Sequence, residues 1–216
     1  MSKESDPWLD DRLARYDRWV AEGRIPYSSK VIPVRRSLDS MQWILPTEQV
    51  LELLRNARSF ALAHCECRTR YGRCSNPTEV CFLLDDEADR HVARGLARAV
   101  DLPEAERRTE LANEHGLVHL TIYNPEQQVY AVCSCCACCC HDLQFLSRYG
   151  RSDLIARSDY VAEMDPDACV HCGQCVERCV FGARVLEGGE VVEWLDRCRG
   201  CGLCVTVCPT GASQMA

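Results

Sequence analysis

Eighteen of the 216 residues are cysteine, and two stretches repeat one spacing. Residues 169–179 read CVHCGQCVERC and residues 198–208 read CRGCGLCVTVC, both CxxCxxCxxxC, with Pro209 after the second. Four thiolates at intervals of two, two and three suit an iron–sulfur cube. A tight loop presents three sulfurs to three irons, and the turn that follows carries the fourth away. The other ten cysteines are Cys65, Cys67, Cys74 and Cys81, then Cys133, Cys135, Cys136, Cys138, Cys139 and Cys140.

So many thiols mean either a disulfide framework or metal ligands. The N-terminus MSKESDPWLDDRLARYDRWV is charged throughout and lacks the apolar core of a secretory signal. Arg35-Arg36 is followed by too short an apolar stretch for a twin-arginine signal. No run of apolar residues approaches the roughly 18 needed to span a bilayer. The expectation is a cytoplasmic protein, where thiols stay reduced and clustered cysteines bind metal.

The doubled motif resembles bacterial ferredoxins with two [4Fe-4S] clusters, over residues 159–216. In that family the fourth cysteine of each motif serves the other cluster. The resemblance therefore implies Cys169, Cys172, Cys175 and Cys208 on one cluster, and Cys179, Cys198, Cys201 and Cys204 on the second. Gly173 and Gly202 sit where backbone N–H groups must turn toward inorganic sulfur. Val180 stands where the family usually has proline, which bears on the cluster's surroundings and not on its ligands. Residues 159–216 hold nine acidic residues against four arginines, a net charge of −5 within the chain's −7. Such a surface suits a basic redox partner protein and is unsuited to nucleic acid.

The remaining ten thiols are two more than two cubes need and six more than one needs. Free thiols packed so densely would be oxidised, which favours metal. Neighbouring side chains such as Cys138, Cys139 and Cys140 diverge and cannot all reach one cube, so the run serves two sites or leaves spare thiols. The elements Cys65-Glu-Cys67-Arg68 and CSCCACCC also resemble iron–sulfur proteins of anaerobic prokaryotes that join such motifs to a C-terminal ferredoxin module. That resemblance, over residues 47–146, implies a cofactor class: one or two additional iron–sulfur clusters bridging Cys65, Cys67, Cys74 and Cys81 to the 133–140 run. Arg68, Arg70 and Arg73 would offset cluster charge, bind an anion, or be solvated loop charges. His64, His141 and His171 flank ligands and are read as hydrogen-bonding neighbours; His91, His115 and His119 have no constellation around them.

The elements that position these residues follow from periodicity. A helix is expected over Pro7–Ala21, then an extended arm through Gly23, Pro26 and Pro33. Val50, Leu53, Leu54, Ala57, Phe60 and Ala61 recur at three and four, which predicts a helix with Thr47 as N-cap, running into His64-Cys65. A helix from Pro103 to His115 ends at Gly116, and LVHLTIY and QVYAVC read as a hairpin across Asn124-Pro125. A short helix from His141 to Arg148 precedes the expected linker.

The fold expected is α+β: a mainly helical cysteine-rich domain (47–150) with one hairpin, after an N-terminal helix and arm (1–46), and a linker (151–158) to a small ferredoxin-like ββ module (159–216). Counting cysteine, 47% of residues are hydrophobic; the cysteines are about 8% of the chain, leaving roughly 39%. Clusters then stand in for apolar core. No GxGxxG, phosphate loop, GxSxG or HExxH pattern occurs, which argues against a self-contained hydride-transfer enzyme. The reading is an electron-transfer protein with two [4Fe-4S] clusters, a carrier or subunit more than a stand-alone enzyme. Two alternatives stay open: a reductase subunit whose N-terminal cluster acts on substrate, and an N-terminal zinc or structural site.

Overall fold

The computed structural model describes residues 6–32, 46–126 and 128–216. Arg35-Arg36 and the Pro33 end of the expected arm lie outside them. In chain order the elements are α1 (Pro7–Ala21), β1 (Ser29–Ile32), α2 (Pro46–Asn56), β2 (Phe60–His64), α3 (Glu66–Tyr71), β3 (Glu79–Leu84), α4 (Asp85–Ala93), β4 (Ala97–Ala99), α5 (Leu102–Glu114), β5 (Val118–Tyr123), β6 (Val129–Cys135), α6 (His141–Tyr149) and β7 (Ile155–Ala156). There follow β8 (Ala162–Met164), α7 (Gln174–Arg178), β9 (Arg184–Glu187), β10 (Glu190–Glu193) and β11 (Ser213–Met215).

The chain is α+β, but the N-terminal part is organised around a sheet and is not mainly helical. The predicted hairpin β5–β6 forms the middle of a seven-stranded sheet of order β4-β2-β3-β6-β5-β1-β7. Short strands such as Phe60–His64 and Ile155–Ala156 carry too few alternations to register as strands alone; their partners make them strands.

Three boundaries differ from expectation for this reason. Helix α2 stops at Asn56, and Phe60 and Ala61 pair with Leu84, Leu83 and Ala99 in β2. The reversal between them is tied down by Asp85, whose carboxylate accepts from Arg58 N at 2.7 Å while its own N–H donates to Ser59 O at 2.8 Å. Thr47 accordingly lies inside α2, which begins at Pro46. The expected arm contributes β1, antiparallel to β5, and the expected linker contributes β7, parallel to β1. Leu154 and Ile155 in that segment are fully buried.

Local signals agree with the structure elsewhere. Asp6 caps α1 and Asp101 caps α5, each accepting from a backbone N–H three residues on, with proline in the first turn of both helices. The predicted end at Gly116 is met by α5 stopping at Glu114.

One face of the sheet packs α2 and α5 around Leu54, Leu62, Phe82 and Ala105. Emptying the Phe82 position would cost about 3–5 kcal/mol. Another apolar cluster joins Val118, Leu120, Cys135, Cys140 and Leu143 to Cys201 and Leu203 of the C-terminal part. The halves also meet at Arg178, which donates to the carbonyls of Asn113 and Glu114 at 2.8 and 3.1 Å. The C-terminal part is two small antiparallel ribbons, β9–β10 and β11–β8.

Candidate metal centres

None of the 18 cysteines is in a disulfide. In the C-terminal part, two separate pockets each gather four of them. One, of about 280 Å³, is lined by Cys169, Cys172, Cys175 and Cys208 with Gly173, Val191 and Ser213. The second, of about 380 Å³, is lined by Cys179, Cys198, Cys201 and Cys204 with Arg184 and Arg199. Each pocket takes three cysteines from one motif and the fourth from the other.

The backbone makes this possible by the same device in both halves. Gly173 and Gly202 have φ of 78° and 74°, left-handed values that turn the chain around the cysteine loop. His171 N donates to Cys169 Sγ and Gly200 N to Cys198 Sγ, both at 3.4 Å. Ala183 N donates to Cys179 Sγ at 3.3 Å and Ser213 N to Cys208 Sγ at 3.4 Å. N–H donors on cysteine sulfur stabilise thiolate and tune a cluster's potential. Four cysteines and no histidine, aspartate or glutamate line each pocket, a donor set that fits an iron–sulfur cube.

The pockets differ in exposure. Cys172 is exposed and Cys169 and Cys208 are half-buried, whereas Cys198, Cys201 and Cys204 are buried. Val180, the departure from the family's proline, packs with Phe181 against the N-terminal core. Residue 180 thus serves the contact between the two halves.

Residues 191–214 match the 4Fe-4S binding domain family. The chain thereby carries a segment built for at least one [4Fe-4S] cluster. It is also 32% identical over 47 residues to a ferredoxin of Rickettsia felis (strain ATCC VR-1525 / URRWXCal2), a match spanning 22% of this chain and 43% of that protein. These similarities support an iron–sulfur electron-transfer role.

The ten N-terminal thiols come from two regions that the sheet brings together. Cys65 precedes α3 and Cys67 lies in it; Cys81 sits in β3, paired with Ala63. Cys133 and Cys135 share a face of β6, two residues apart, and the pairing of Phe82 with Val132 continues to set Cys81 opposite Cys133. Cys136 to Cys140 form a turn before α6.

Six of these thiols follow one another as electrostatic neighbours around a closed ring: Cys65 to Cys81, Cys81 to Cys133, Cys133 to Cys135, Cys135 to Cys140, Cys140 to Cys67, and Cys67 to Cys65. Acidity alternates around it. Hydrogen bonds from their ring neighbours pull Cys65, Cys133 and Cys140 down. The same bonds push Cys67, Cys81 and Cys135 up. Metal binds the thiolate form, and six converging thiols can supply it.

Arg68 lies against the ring, 4% exposed. Its Nη1 donates to Ser134 O at 2.9 Å, while its Nε and Nη2 are buried with no hydrogen-bond partner. A buried guanidinium with unspent donors beside thiolates fits an anionic metal–sulfur group. Arg73 donates to Cys138 O and to Gln144, and Arg70 lies over the Trp8 ring. Cys74 belongs with Cys136, Cys138 and Cys139, apart from the ring.

The flanking histidines divide. His64 is exposed and contacts Thr78 Oγ1, and His171 Nδ1 accepts from Val191 N at 3.0 Å. His141 Nδ1 is 3.2 Å from Cys67 Sγ. His119, with no signal in its sequence neighbourhood, is buried between Asn113 and Ser134. The six-and-four division of the ten thiols had no sequence signal beyond the divergence of adjacent side chains.

Proposed function

We propose that the protein is a ferredoxin-like one-electron carrier holding two [4Fe-4S] clusters, on Cys169/Cys172/Cys175/Cys208 and Cys179/Cys198/Cys201/Cys204, with a further polynuclear cluster on the six-thiol ring. The observation that carries this reading is that Cys201 of the buried pocket shares one apolar cluster with Cys135 and Cys140 of the ring. The buried C-terminal pocket and the ring therefore border one apolar core, while the half-exposed pocket has Val170, 62% exposed, at its rim. The order from outside to inside is solvent-side cluster, buried cluster, ring. The acidic charge of residues 159–216 would steer a basic redox partner to the solvent-side end. The clusters would supply the one-electron chemistry; the chain positions them, buries one more deeply than the other, and tunes their potentials. No helix among the described residues is long and apolar enough to cross a membrane.

Iron and acid-labile sulfide counting on anaerobically purified protein tests this. The two cubes predict about eight irons with equal sulfide, and the ring predicts more than that. Cys175→Ala and Cys204→Ala should each lower the iron and sulfide counts. A total of four or fewer irons would overturn the two-cube assignment, and a total of eight would overturn the cluster on the ring.

A further inference from the structure

Cys74, Cys136, Cys138 and Cys139 have ligand sulfurs all within 4.8 Å of one another. Two edges of this group are resolved individually: Cys74 Sγ to Cys136 Sγ is 3.8 Å and to Cys139 Sγ is 3.9 Å. Four thiolates about 2.3 Å from a single tetrahedral ion are about 3.8 Å apart. Four thiolates on the corners of a cube bind different irons and stand on the order of 6 Å apart. Among the described residues this is the one group of His, Cys, Asp or Glu that meets the 4.8 Å spacing. Neither C-terminal set does, and no three members of the six-thiol ring do.

We propose that these four cysteines are a tetrathiolate site for one tetrahedral metal ion, zinc or mononuclear iron, distinct from every iron–sulfur cluster in the chain. The site does not depend on the electron-transfer reading.

The surroundings are built to hold it. The turn that supplies three ligands is closed by Cys139 N and Cys140 N donating to Cys136 O. Arg73, next to the fourth ligand, donates to Cys138 O at 3.1 Å and to Gln144 Oε1 at 3.0 Å. Gln144, itself 2% exposed, returns its amide to Cys139 O at 3.1 Å. Arg68 Nη1 lies 3.7 Å from Cys136 Sγ. The Arg68 guanidinium thus faces a centre whose four thiolates and divalent ion sum to a charge of −2, while Arg73 braces the turn that carries three of them. All four positions are protein sulfur, the closed arrangement of a structural ion with no place for substrate. Such an ion pins the stretch from Gly72 to Thr78, which lacks helix or strand, to the turn before α6. The same pinning sets Cys140 into the ring while its neighbour Cys139 faces away.

The test uses the full chain purified anaerobically, with metals counted by plasma mass spectrometry alongside acid-labile sulfide. Cys138 is exposed, so Cys138→Ser disturbs folding least. The expected result is loss of one metal ion per chain with sulfide unchanged. If the ion is zinc, zinc falls by one; if it is iron, iron falls by one. Loss of about four irons with matching sulfide would make the site a cube and overturn the proposal. No change in any metal would overturn it as well. X-ray absorption of the wild-type protein keeps the question open to decision should the variant not fold. A zinc edge with four sulfur neighbours and no metal neighbour supports the site, and zinc absence with every iron showing an iron neighbour overturns it. Cys175→Ala and Cys204→Ala report on the C-terminal clusters separately, so the two readings fail independently.

Discussion

His141 holds its Nδ1 3.2 Å from the Sγ of Cys67 and its Nε2 3.1 Å from Asp142 Oδ2. Asp142 is buried and accepts from Ser28 Oγ at 2.8 Å. Burial works against a charged ring here, but Asp142 overrides it and lifts His141 to about 9. A carboxylate thus orients an imidazole that serves one sulfur of the six-thiol ring.

Replacing His141 by Phe removes that contact and should leave the iron count unchanged. A hydrogen bond to a charged sulfur contributes about 1.5 kcal/mol, so the potential of the N-terminal centre should fall on the order of 60 mV. His141→Gln, which keeps a donor, should recover part of the shift. Anaerobic redox titration followed by electron paramagnetic resonance reads it, and an unchanged potential in both variants would remove His141 from the site.

Arg184 is 3% exposed, lines the buried C-terminal pocket and pairs with Glu193. Burial pushes the thiols of Cys175 and Cys204, one from each four-cysteine set, up from their ordinary value, and the Arg184 charge offsets part of that rise in both. If both sets hold a cluster as proposed, Arg184→Gln should lower the potentials of the two by tens of millivolts, and Glu193→Gln should raise them. Shifts of the same sign in the two variants would show that charge is not the cause.

Arg178 joins the two halves by donating to Asn113 O and Glu114 O at the C-terminal end of α5. A side chain at Gly116 would also meet it, since a Cβ there would lie 2.5 Å from Arg178 Nη1. Arg178→Met should cost about 1–2 kcal/mol in urea unfolding, from lost carbonyl partners and a lost cation at a helix C-terminus. Gly116→Ala should be destabilised in the wild type and less so in the Arg178→Met background.

His119 is fully buried, with Nε2 at 2.6 Å from Asn113 Oδ1 and Nδ1 at 3.0 Å from Ser134 Oγ. Burial depresses its pKa to about 4. The unfolded chain binds a proton near pH 6.5 that the folded chain refuses, so stability is full above about 6.5 and falls as pH drops toward 4. The loss approaches about 3 kcal/mol. Urea midpoints from pH 7 to 5 should show the decline, and His119→Gln should flatten it.

Much of the site can be read without coordinates, and unevenly. CxxCxxCxxxC is in large part a local device: three of each set's four cysteines lie within seven residues, and Gly173 and Gly202 signal the turns directly, while the fourth comes from the other motif. Helices α1, α5 and α6 were legible for the same reason, because caps and apolar spacing act within a few turns. Strands β1, β2 and β7 were not, because each is made by partners far along the chain.

The ten N-terminal cysteines mark that boundary. Their identity and crowding are what raise the expectation of metal there, since thiols so dense would otherwise be open to oxidation. Which sulfur meets which is decided by the sheet: β3 and β6 lie side by side and bring Cys81 to Cys133, and the turn after β6 sends Cys139 toward Cys74 and Cys140 toward Cys67. Spacing along a chain states how far a ligand can reach. Only the packed backbone states the direction in which it points, and a metal site is selected by direction.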